Sequence, residues 1–313
     1  MNFYFAPMEG LTGYIYRNAH NAFFNNVDKY FSPFIVANQS NSFKTKELRD
    51  VLPENNQELF LVPQLLTNNA GDFTHMSKKL KQLGYNEVNL NLGCPSGTVV
   101  SKNRGSGFLS KTKELDEFLE KIFSEAVTKI SIKTRIGKDS PEEFYNLIDI
   151  FNKYPMEELI IHPRIQKDFY KNKPNMEIFK EALILSKNPI CYNGDIFKVK
   201  DYENFSKDFT SVQTLMIGRG LLANPGLICD IKNNTKPEKK LLKDFHDKIY
   251  EDYKEVLLGD KNVLFRMKEL WFYMLPRFSN NEKYAKKIRK SERLYDYDAA
   301  VFSLFRDQDI LEN

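Results

Sequence analysis

Eight short apolar segments, rich in β-branched and aromatic residues, alternate along the chain with stretches of helical periodicity. They lie at 3–6, 30–36, 59–64, 87–92, 130–134, 158–162, 189–192 and 214–217. Several are apolar almost throughout, which is expected of strands buried on both faces of a parallel sheet. Helices are predicted between them at 72–83, 115–126, 142–153 and 176–186. This alternation fits the size of a (β/α)₈ TIM barrel, an α/β fold of about 250 residues.

An open, doubly wound parallel sheet is the alternative fold. Such sheets usually have fewer strands and a glycine-rich turn after the first one. No G-x-G-x-x-G pattern follows the segment at 3–6. The barrel is therefore the better prediction.

The last quarter of the chain lacks strand signals. After a polar connection at 233–237, helices are predicted at 240–258, 263–275, 281–290 and 298–305. The sequence thus predicts a TIM-barrel domain over residues 1–232 and an all-helical domain over 238–313.

Composition excludes several classes of protein. No apolar run approaches the roughly 18 residues that span a membrane, and the first residues lack the features of a secretion signal. Cys94, Cys191 and Cys229 are too few and too scattered for a disulfide framework or a zinc site. We therefore expect a cytoplasmic protein without a metal site.

The net charge of +4, from 46 basic and 42 acidic residues, does not by itself indicate nucleic-acid binding. Basic residues are nevertheless concentrated at 283–293. This stretch contains Lys283, Lys286, Lys287, Arg289, Lys290 and Arg293, and the only acidic residues in or next to it are Glu282 and Glu292. Taken alone, such a cluster is most simply a solvated helix face.

Polar residues follow the predicted strands at their C-terminal ends, where α/β folds place their chemistry. They are Glu9, Gln64, Asn91, Cys94, Lys133, Arg135, His162, Arg164, Asn193, Asp195 and Arg219. Each has a simple structural explanation, but together they would surround one mouth of the barrel. The turns at 193–195 and 218–220 stand where barrels commonly bind phosphate. A phosphate site beside amide and cationic groups suits FMN, with Gln64 at the isoalloxazine edge and Lys133 near its N1–O2 side.

Cys94 stands where the fourth apolar segment breaks at Gly93 and Pro95. A free cysteine is usually inert packing, so a buried hydrophobe and a reactive group at a strand end are both open at this point. The polar stretch at 97–107 is longer than a strand-to-helix connection requires, which suggests a mobile lid.

The motifs, taken in order, resemble those of the tRNA-dihydrouridine synthases. They are APMEG at 6–10, VPQ at 62–64, NLGCP at 91–95, IKTR at 132–135, HPR at 162–164, NGD at 193–195, IGRG at 217–220 and MKELWFY at 267–273. The resemblance implies an FMN-bound barrel that reduces a uridine of tRNA to 5,6-dihydrouridine, with NADPH (or NADH) as the reductant. MEG at 8–10 is similar to the branch of the family that acts on uridine 16.

The resemblance also implies roles for individual residues. Cys94 would protonate C5 of the base after hydride transfer to C6, and Asn91 would position that base. FMN would contact Pro7, Met8, Glu9, Gln64, Lys133, His162, Asn193, Gly194, Asp195, Gly218 and Arg219. The tRNA would contact Lys102, Arg104, Arg135, Lys286, Lys287 and Lys290. Leu92 and Pro163 stand where the family's motifs more often have other residues. These two differences affect the expected shape of the local loops.

Two other functions remain as alternatives. An FMN barrel for a small molecule, such as a dihydroorotate dehydrogenase or an ene-reductase, would share the phosphate site but would leave the basic helical tail unexplained. A non-catalytic tRNA-binding or chaperone protein would need neither Cys94 nor the set of cofactor-like residues. The motifs and the tail together favour the tRNA-modifying enzyme.

Overall fold

The computed structural model of the protein describes residues 1–37, 42–233 and 238–311. Every segment that was predicted to be a strand contains one. The strands are β1 (Asn2–Phe5), β2 (Lys29–Phe31), β3 (Ile35–Val36), β4 (Leu61–Val62), β5 (Gln64–Leu66), β6 (Glu87–Leu92), β7 (Lys129–Gly137), β8 (Leu159–Ile165), β9 (Ile190–Asn193) and β10 (Thr214–Ile217).

Proline interrupts two of the predicted strands. Pro33 lies between β2 and β3, and Pro63 separates β4 from β5. Because proline has no N–H to donate to a neighbouring strand, the hydrogen-bond ladder breaks at these positions. Two of the predicted strands are therefore each present as two short pieces.

The strands form one sheet in the order β3-β5-β6-β7-β8-β9-β10-β1-β2-β4. β2 pairs with β4 and β3 pairs with β5, both in parallel. The ends of the order are β3 and β4. β3 continues β2, and β4 is continued by β5, so the two ends belong to neighbouring strands of the barrel. The sheet closes on itself with eight strand positions, which confirms the predicted (β/α)₈ barrel.

Helices connect the strands and form the C-terminal part of the chain. They are α1 (Tyr14–Phe24), α2 (Thr45–Val51), α3 (Ala70–Gln82), α4 (Gly97–Val100), α5 (Thr112–Ser124), α6 (Glu143–Phe151), α7 (Met176–Leu185), α8 (Val199–Asp208), α9 (Arg219–Ala223), α10 (Leu227–Asn233), α11 (Lys239–Val256), α12 (Asp260–Met274), α13 (Glu282–Lys290) and α14 (Leu294–Asp307). All predicted helices are present, with ends shifted by a few residues. No helix of the ranges described is both long and apolar enough to cross a membrane.

The chain divides into two compact units. The first contains Met1–Pro7, Asp28–Asp195 and Phe209–Met216, and the second contains Met8–Val27, Ile196–Asp208 and Ile217–Asn313. The first unit holds almost all of the barrel sheet, and the second holds the C-terminal helices. Residues 234–237 of the predicted connection lie outside the described ranges. The domain division into 1–232 and 238–313 stays a prediction.

The interior of the barrel is filled by side chains from several strands. One buried cluster consists of Tyr4, Ala6, Phe31, Val62, Ile160, Cys191 and Met216. Burial raises the pKa of the Cys191 thiol well above its ordinary value. Cys191 is therefore a packing residue.

The second unit has an aromatic core that contains hydrogen bonds. Nε1 of Trp271 donates to the hydroxyl of Tyr297 at 2.7 Å, and the same hydroxyl lies 2.6 Å from Nε2 of His246. Since an indole can only donate, the Tyr297 hydroxyl is free to donate to His246, whose Nε2 then carries no proton. Nδ1 of His246 donates to Asp247 at 2.9 Å. Burial lowers the pKa of His246, so the imidazole is neutral.

A buried carboxyl group lies at the N-terminal end of the barrel. Glu158, directly before β8, is 6% exposed. Its Oε1 lies 3.5 Å from the hydroxyl of Tyr4, and its Oε2 has no hydrogen-bond partner among the residues described. The nearby ammonium of Lys29 is bound to Glu87 at 2.7 Å. Burial raises the pKa of Glu158 to about 7.

This pKa makes the stability of the protein depend on pH. Below the unfolded-state pKa of about 4.5 the carboxyl is neutral in both states. As pH rises to about 7 the unfolded state ionises while the folded state does not, which costs stability on the order of 3 kcal/mol. We expect Glu158→Gln to raise the thermal midpoint at pH 8 and to change it little at pH 5. Glu157→Gln is the control, because Glu157 forms only a surface ion pair with Lys129. Equal effects of Glu158→Gln at both pH values would contradict the raised pKa.

Candidate active site

The register of the central strands brings predicted site residues side by side. Asn91 of β6 pairs with Lys133 of β7, and Arg135 of β7 pairs with His162 of β8. Side chains two residues apart on a strand point to the same face. Lys133 and Arg135 therefore share one face of β7, close to the C-terminal end of the sheet.

A chain of carboxamide hydrogen bonds crosses three strands on this same face. Nδ2 of Asn89 donates to Oγ of Ser131 at 2.9 Å, and Nε2 of Gln64 donates to Oδ1 of Asn89 at 2.7 Å. Nδ2 of Asn91 donates to Oε1 of Gln64, also at 2.7 Å. Gln64 is completely buried, with both ends of its amide engaged. Its most evident role is to orient Asn91, and its contact with a flavin stays a prediction.

Asn91 controls the turn that carries the thiol. Its Oδ1 accepts the backbone N–H groups of Gly93 at 3.0 Å and of Cys94 at 2.9 Å. Both lone pairs of that oxygen are therefore used, while Nδ2 has one N–H beyond its bond to Gln64. Asn91 thus fixes the turn and can still donate one hydrogen bond.

The carbonyl of Cys94 is held as well. It accepts the backbone N–H of Ser106 at 3.1 Å and the Ser106 hydroxyl at 2.8 Å. Gly105, next to Ser106, has a φ of +55°, which favours glycine. A Cβ at this residue would lie 2.8 Å from the carbonyl oxygen of Cys94, so the chain can approach the turn this closely only with glycine. The stretch that suggested a mobile lid forms α4 and a short 3₁₀-helix at Gly105–Ser110, which pack on the turn, and its mobility stays a prediction. The half-exposed Cys94 thiol therefore projects from a fixed backbone.

Lys133 provides a positive charge without a carboxylate partner. It forms no hydrogen bond or ion pair with another residue of the described ranges. Desolvation and the neighbouring charge of Arg135 lower the pKa of Lys133 to about 8. At neutral pH most of the ammonium groups are still charged. An anionic group beside Lys133 would be stabilised and would raise this pKa again.

Arg135 is turned toward the protein backbone. It is 1% exposed, and its Nε, Nη1 and Nη2 donate to the carbonyl oxygens of Gly93, Ile165 and Phe169. The three distances are 2.9, 2.8 and 2.8 Å. All three hydrogen bonds of Arg135 go to the protein backbone. Its contact with tRNA stays a prediction.

His162 and Asp195 both contact Arg164, which was predicted to lie at a strand end but was assigned no ligand. Nη1 and Nη2 of Arg164 donate to the Asp195 carboxylate at 3.0 and 2.5 Å. Nη1 also lies 3.0 Å from Nε2 of His162. A guanidinium has no acceptor, so this Nε2 is unprotonated and the proton of a neutral His162 is on Nδ1. Asp195 is thereby neutralised by Arg164, and its predicted flavin contact stays a prediction.

The remaining residues predicted to bind FMN lie in different units. Pro7, Asn193 and Gly194 belong to the first unit, whereas Met8, Glu9, Gly218 and Arg219 belong to the second. In the first unit, a Cβ on Gly194 would meet the ring and hydroxyl of Tyr192 at 2.0–2.8 Å, so packing alone requires this glycine. In the second unit, the guanidinium of Arg219 lies 5.2 Å from the ring of Phe197. Their grouping around one phosphate stays a prediction.

The basic residues predicted to bind tRNA also divide between the units. Lys102 and Arg104 follow α4 in the first unit, and Nε of Arg104 contacts Asn68 Oδ1 at 3.4 Å. Lys286, Lys287 and Lys290 are exposed on α13 in the second unit. Sequence reasoning missed Asn89, and it placed Arg164 at a strand end without assigning it a binding role. The spacing of Asn89 two residues before Asn91 was the available signal, since it places both on one face.

Comparisons with known proteins agree with the motifs. A family model described as dihydrouridine synthase matches residues 4–302. A Helicobacter pylori protein named "Probable tRNA-dihydrouridine synthase" is 28% identical over 280 residues, which cover 86% of this chain and 82% of that protein. The tRNA-dihydrouridine(16) synthase of Vibrio parahaemolyticus is 27% identical over 66% of this chain and 65% of its own.

Among solved structures, a variant of morphinone reductase in complex with tetrahydroNAD superimposes with a TM-score of 0.53. The two chains are 12% identical, and the superposition covers 77% of this chain and 89% of the other. At this identity the likeness shows the barrel fold alone. The match of the family model along nearly the entire chain, in contrast, shows that the protein belongs to the dihydrouridine synthase family.

Proposed function

We propose that the protein reduces a uridine of tRNA to 5,6-dihydrouridine, with FMN as the bound cofactor and NADPH or NADH as the reductant. The observation that carries this proposal is the Cys94 thiol, fixed at the end of β6 beside the positive charges of Lys133 and Arg135. Membership of the dihydrouridine synthase family and the names of its relatives support the substrate.

The residues of the first unit fit a flavin. Lys133 has a desolvated charge that no described carboxylate neutralises, as expected of a group that faces an anionic ligand atom. We propose that Lys133 and His162 lie along the isoalloxazine and that Asn193 and Asp195 take part in holding the ribityl phosphate. When bound, the flavin supplies the hydride that C6 of the uracil accepts.

The roles of Cys94 and Asn91 follow from their positions. Addition of hydride at C6 leaves negative charge on C5 and the adjacent carbonyl, so a proton must be supplied to C5. A thiol has an unperturbed pKa near 8.5 and is mostly protonated at pH 7. We propose that Sγ of Cys94 gives up this proton and that the second N–H of Asn91 donates to a carbonyl of the base.

A lysine stripe on α13 suits the tRNA backbone. Lys283, Lys286, Lys287 and Lys290 are exposed and spaced so that they share one side of the helix. Tyr284 and Ile288 are buried and attach α13 to the second unit. We define these four lysines as the lysine stripe and propose that it binds phosphates, which attract cations irrespective of sequence.

Reduction of a small molecule is the second candidate. The fold likeness to morphinone reductase is compatible with it, but a shared fold does not establish a shared substrate. A small substrate would leave the lysine stripe without a function. The tRNA is therefore the better-supported substrate.

Activity on tRNA transcripts tests the proposal directly. We expect the purified protein to release FMN on denaturation and to form dihydrouridine in unmodified tRNA only when NADPH or NADH is present. Mass spectrometry of nuclease fragments would identify the modified uridine, with position 16 examined first. A protein that takes up no FMN on reconstitution, or that reduces a small enone but no tRNA, would contradict the proposal.

Cys94→Ala should reduce dihydrouridine formation by about 10²–10⁴-fold, the usual contribution of a positioned general acid. Flavin binding and flavin reduction by NADPH should change little, because the thiol is needed only once hydride has reached the base. Cys229→Ala is a matched control, since Cys229 is also half-exposed but lies in the second unit. Wild-type product formation by Cys94→Ala would assign Cys94 to packing.

Charge reversal of Lys286, Lys287 and Lys290 to Glu should raise the KM for tRNA and flatten the dependence of affinity on salt. The reason is that fewer counterions are released when fewer phosphates are contacted. A triple reversal of Lys78, Lys113 and Lys121 makes the same change of charge on exposed positions of α3 and α5. Filter binding at three salt concentrations measures both effects. If the salt dependence of tRNA affinity is identical for the two triple variants, the lysine stripe is an ordinary solvated surface and does not bind the tRNA.

A further inference from the structure

We propose that Arg135 is a positioning residue that sets the orientation of Cys94 through the protein backbone. This inference rests on the proposed function and refines it. Sequence motifs had suggested that Arg135 contacts the substrate. The hydrogen bonds of its side chain indicate a different role.

Arg135 contacts the peptide group that joins Gly93 to Cys94. Its N–H is bound by Oδ1 of Asn91 at 2.9 Å, and its carbonyl oxygen is bound by Nε of Arg135 at 2.9 Å. Both polar ends of this peptide plane are therefore held. The next peptide is held too, because the Cys94 carbonyl accepts two hydrogen bonds from Ser106. With both flanking planes fixed, φ and ψ of Cys94 are fixed, and so is the direction of its Cα–Cβ bond.

The other two nitrogens of Arg135 bind the segment that follows β8. Nη1 donates to the carbonyl of Ile165, and Nη2 donates to the carbonyl of Phe169. The ring of Tyr170 lies 5.5 Å from the same guanidinium. In the same segment, Nε2 of Gln166 donates to the carbonyl of Pro95 at 3.3 Å. Arg135 thus joins the Cys94 turn to residues 165–170.

Phe169 shows that this segment is held under strain. Its φ of 49° and ψ of −100° are unfavourable for a residue with a side chain, and such conformations persist only where the surroundings enforce them. The hydrogen bond from Arg135 to the Phe169 carbonyl supplies part of that enforcement. Strained backbone of this kind is often found beside functional groups.

A lysine could not replace these contacts. The guanidinium presents N–H groups in a rigid planar fork, whereas an ammonium is a single compact centre that cannot reach three separated carbonyls. At 1% exposure, Arg135 is also too buried to meet a phosphate at the surface. The charge would survive an Arg135→Lys substitution, but the geometry would be lost.

The test compares Arg135→Lys with Arg277→Lys. Arg277 is also buried, at 8% exposure, and lies in the second unit, so its variant controls for the general effect of losing a buried guanidinium. The measurements are the rate of Cys94 alkylation by iodoacetamide, the kcat and KM for tRNA, and the rate of flavin reduction by NADPH. Alkylation needs no turnover, so it is informative even if tRNA is not the substrate.

For Arg135→Lys we expect kcat to fall by about 10- to 100-fold, the effect of misplacing a reacting group by about 1 Å. The alkylation rate of Cys94 should change at least about threefold, whereas KM and flavin reduction should stay within about twofold. Arg277→Lys should change none of these rates. A raised KM with unchanged kcat would show that Arg135 contacts the RNA, and an unchanged alkylation rate would overturn the positioning role.

Gln166→Ala provides a second variant if Arg135→Lys does not fold. Gln166 is half-exposed and links the same segment to Pro95, so its loss should be tolerated by the fold. We expect a smaller change of kcat and of Cys94 alkylation in the same directions. A Gln166→Ala protein with wild-type values for both would argue against mechanical coupling between residues 165–170 and the Cys94 turn.

Discussion

The parallel pairing of β6 with β7 is the constraint on which the candidate active site depends. It fixes Asn91 next to Lys133 and Asn89 next to Ser131, so that a thiol, an amide and an ammonium meet at one end of the barrel. A slip of one residue would turn each of these side chains to the opposite face. The apolar residues that alternate with them in both strands oppose such a slip, because they are completely buried.

Electrostatics at the C-terminal end of the barrel divides into neutralised and uncompensated charges. Arg164 and Asp195 cancel each other in a bidentate pair, and the charge of Arg135 is spread over three backbone carbonyls. Lys133 has no such partner among the residues described. One positive charge is thus left available in a partly desolvated place, where its effect on a ligand is larger than it would be in water.

Sequence reasoning succeeded where the pattern is dictated by burial. Parallel strands are apolar on both faces, so they were visible as continuous runs, and Pro33 and Pro63 account for the breaks in two of them. Helix α1 was not among the helices predicted individually, and its buried face includes Arg17 and His20 beside apolar residues. The residue types of the candidate site were predictable as well.

The hydrogen-bond partners of the candidate-site residues were not predictable, because the choice of partner depends on atoms that are distant in sequence. Nothing in the sequence distinguishes an arginine that binds RNA from one that binds three carbonyls, and Arg135 does the latter. Gln64 has the same ambiguity, since an amide can serve a ligand or another amide equally well. The closed barrel resolves it by burying Gln64 between Asn89 and Asn91.

The aromatic core of the second unit has a consequence for spectroscopy. Trp271 is the single tryptophan of the chain, and it is 1% exposed beside His246 and Tyr297. Its emission therefore reports on the packing of the second unit alone, while the barrel of the first unit contains no indole. Protonation of the His246 imidazole, whose ring centre lies 5.3 Å from that of Trp271, would quench this emission, so fluorescence can follow the second unit through titration or unfolding without any added label.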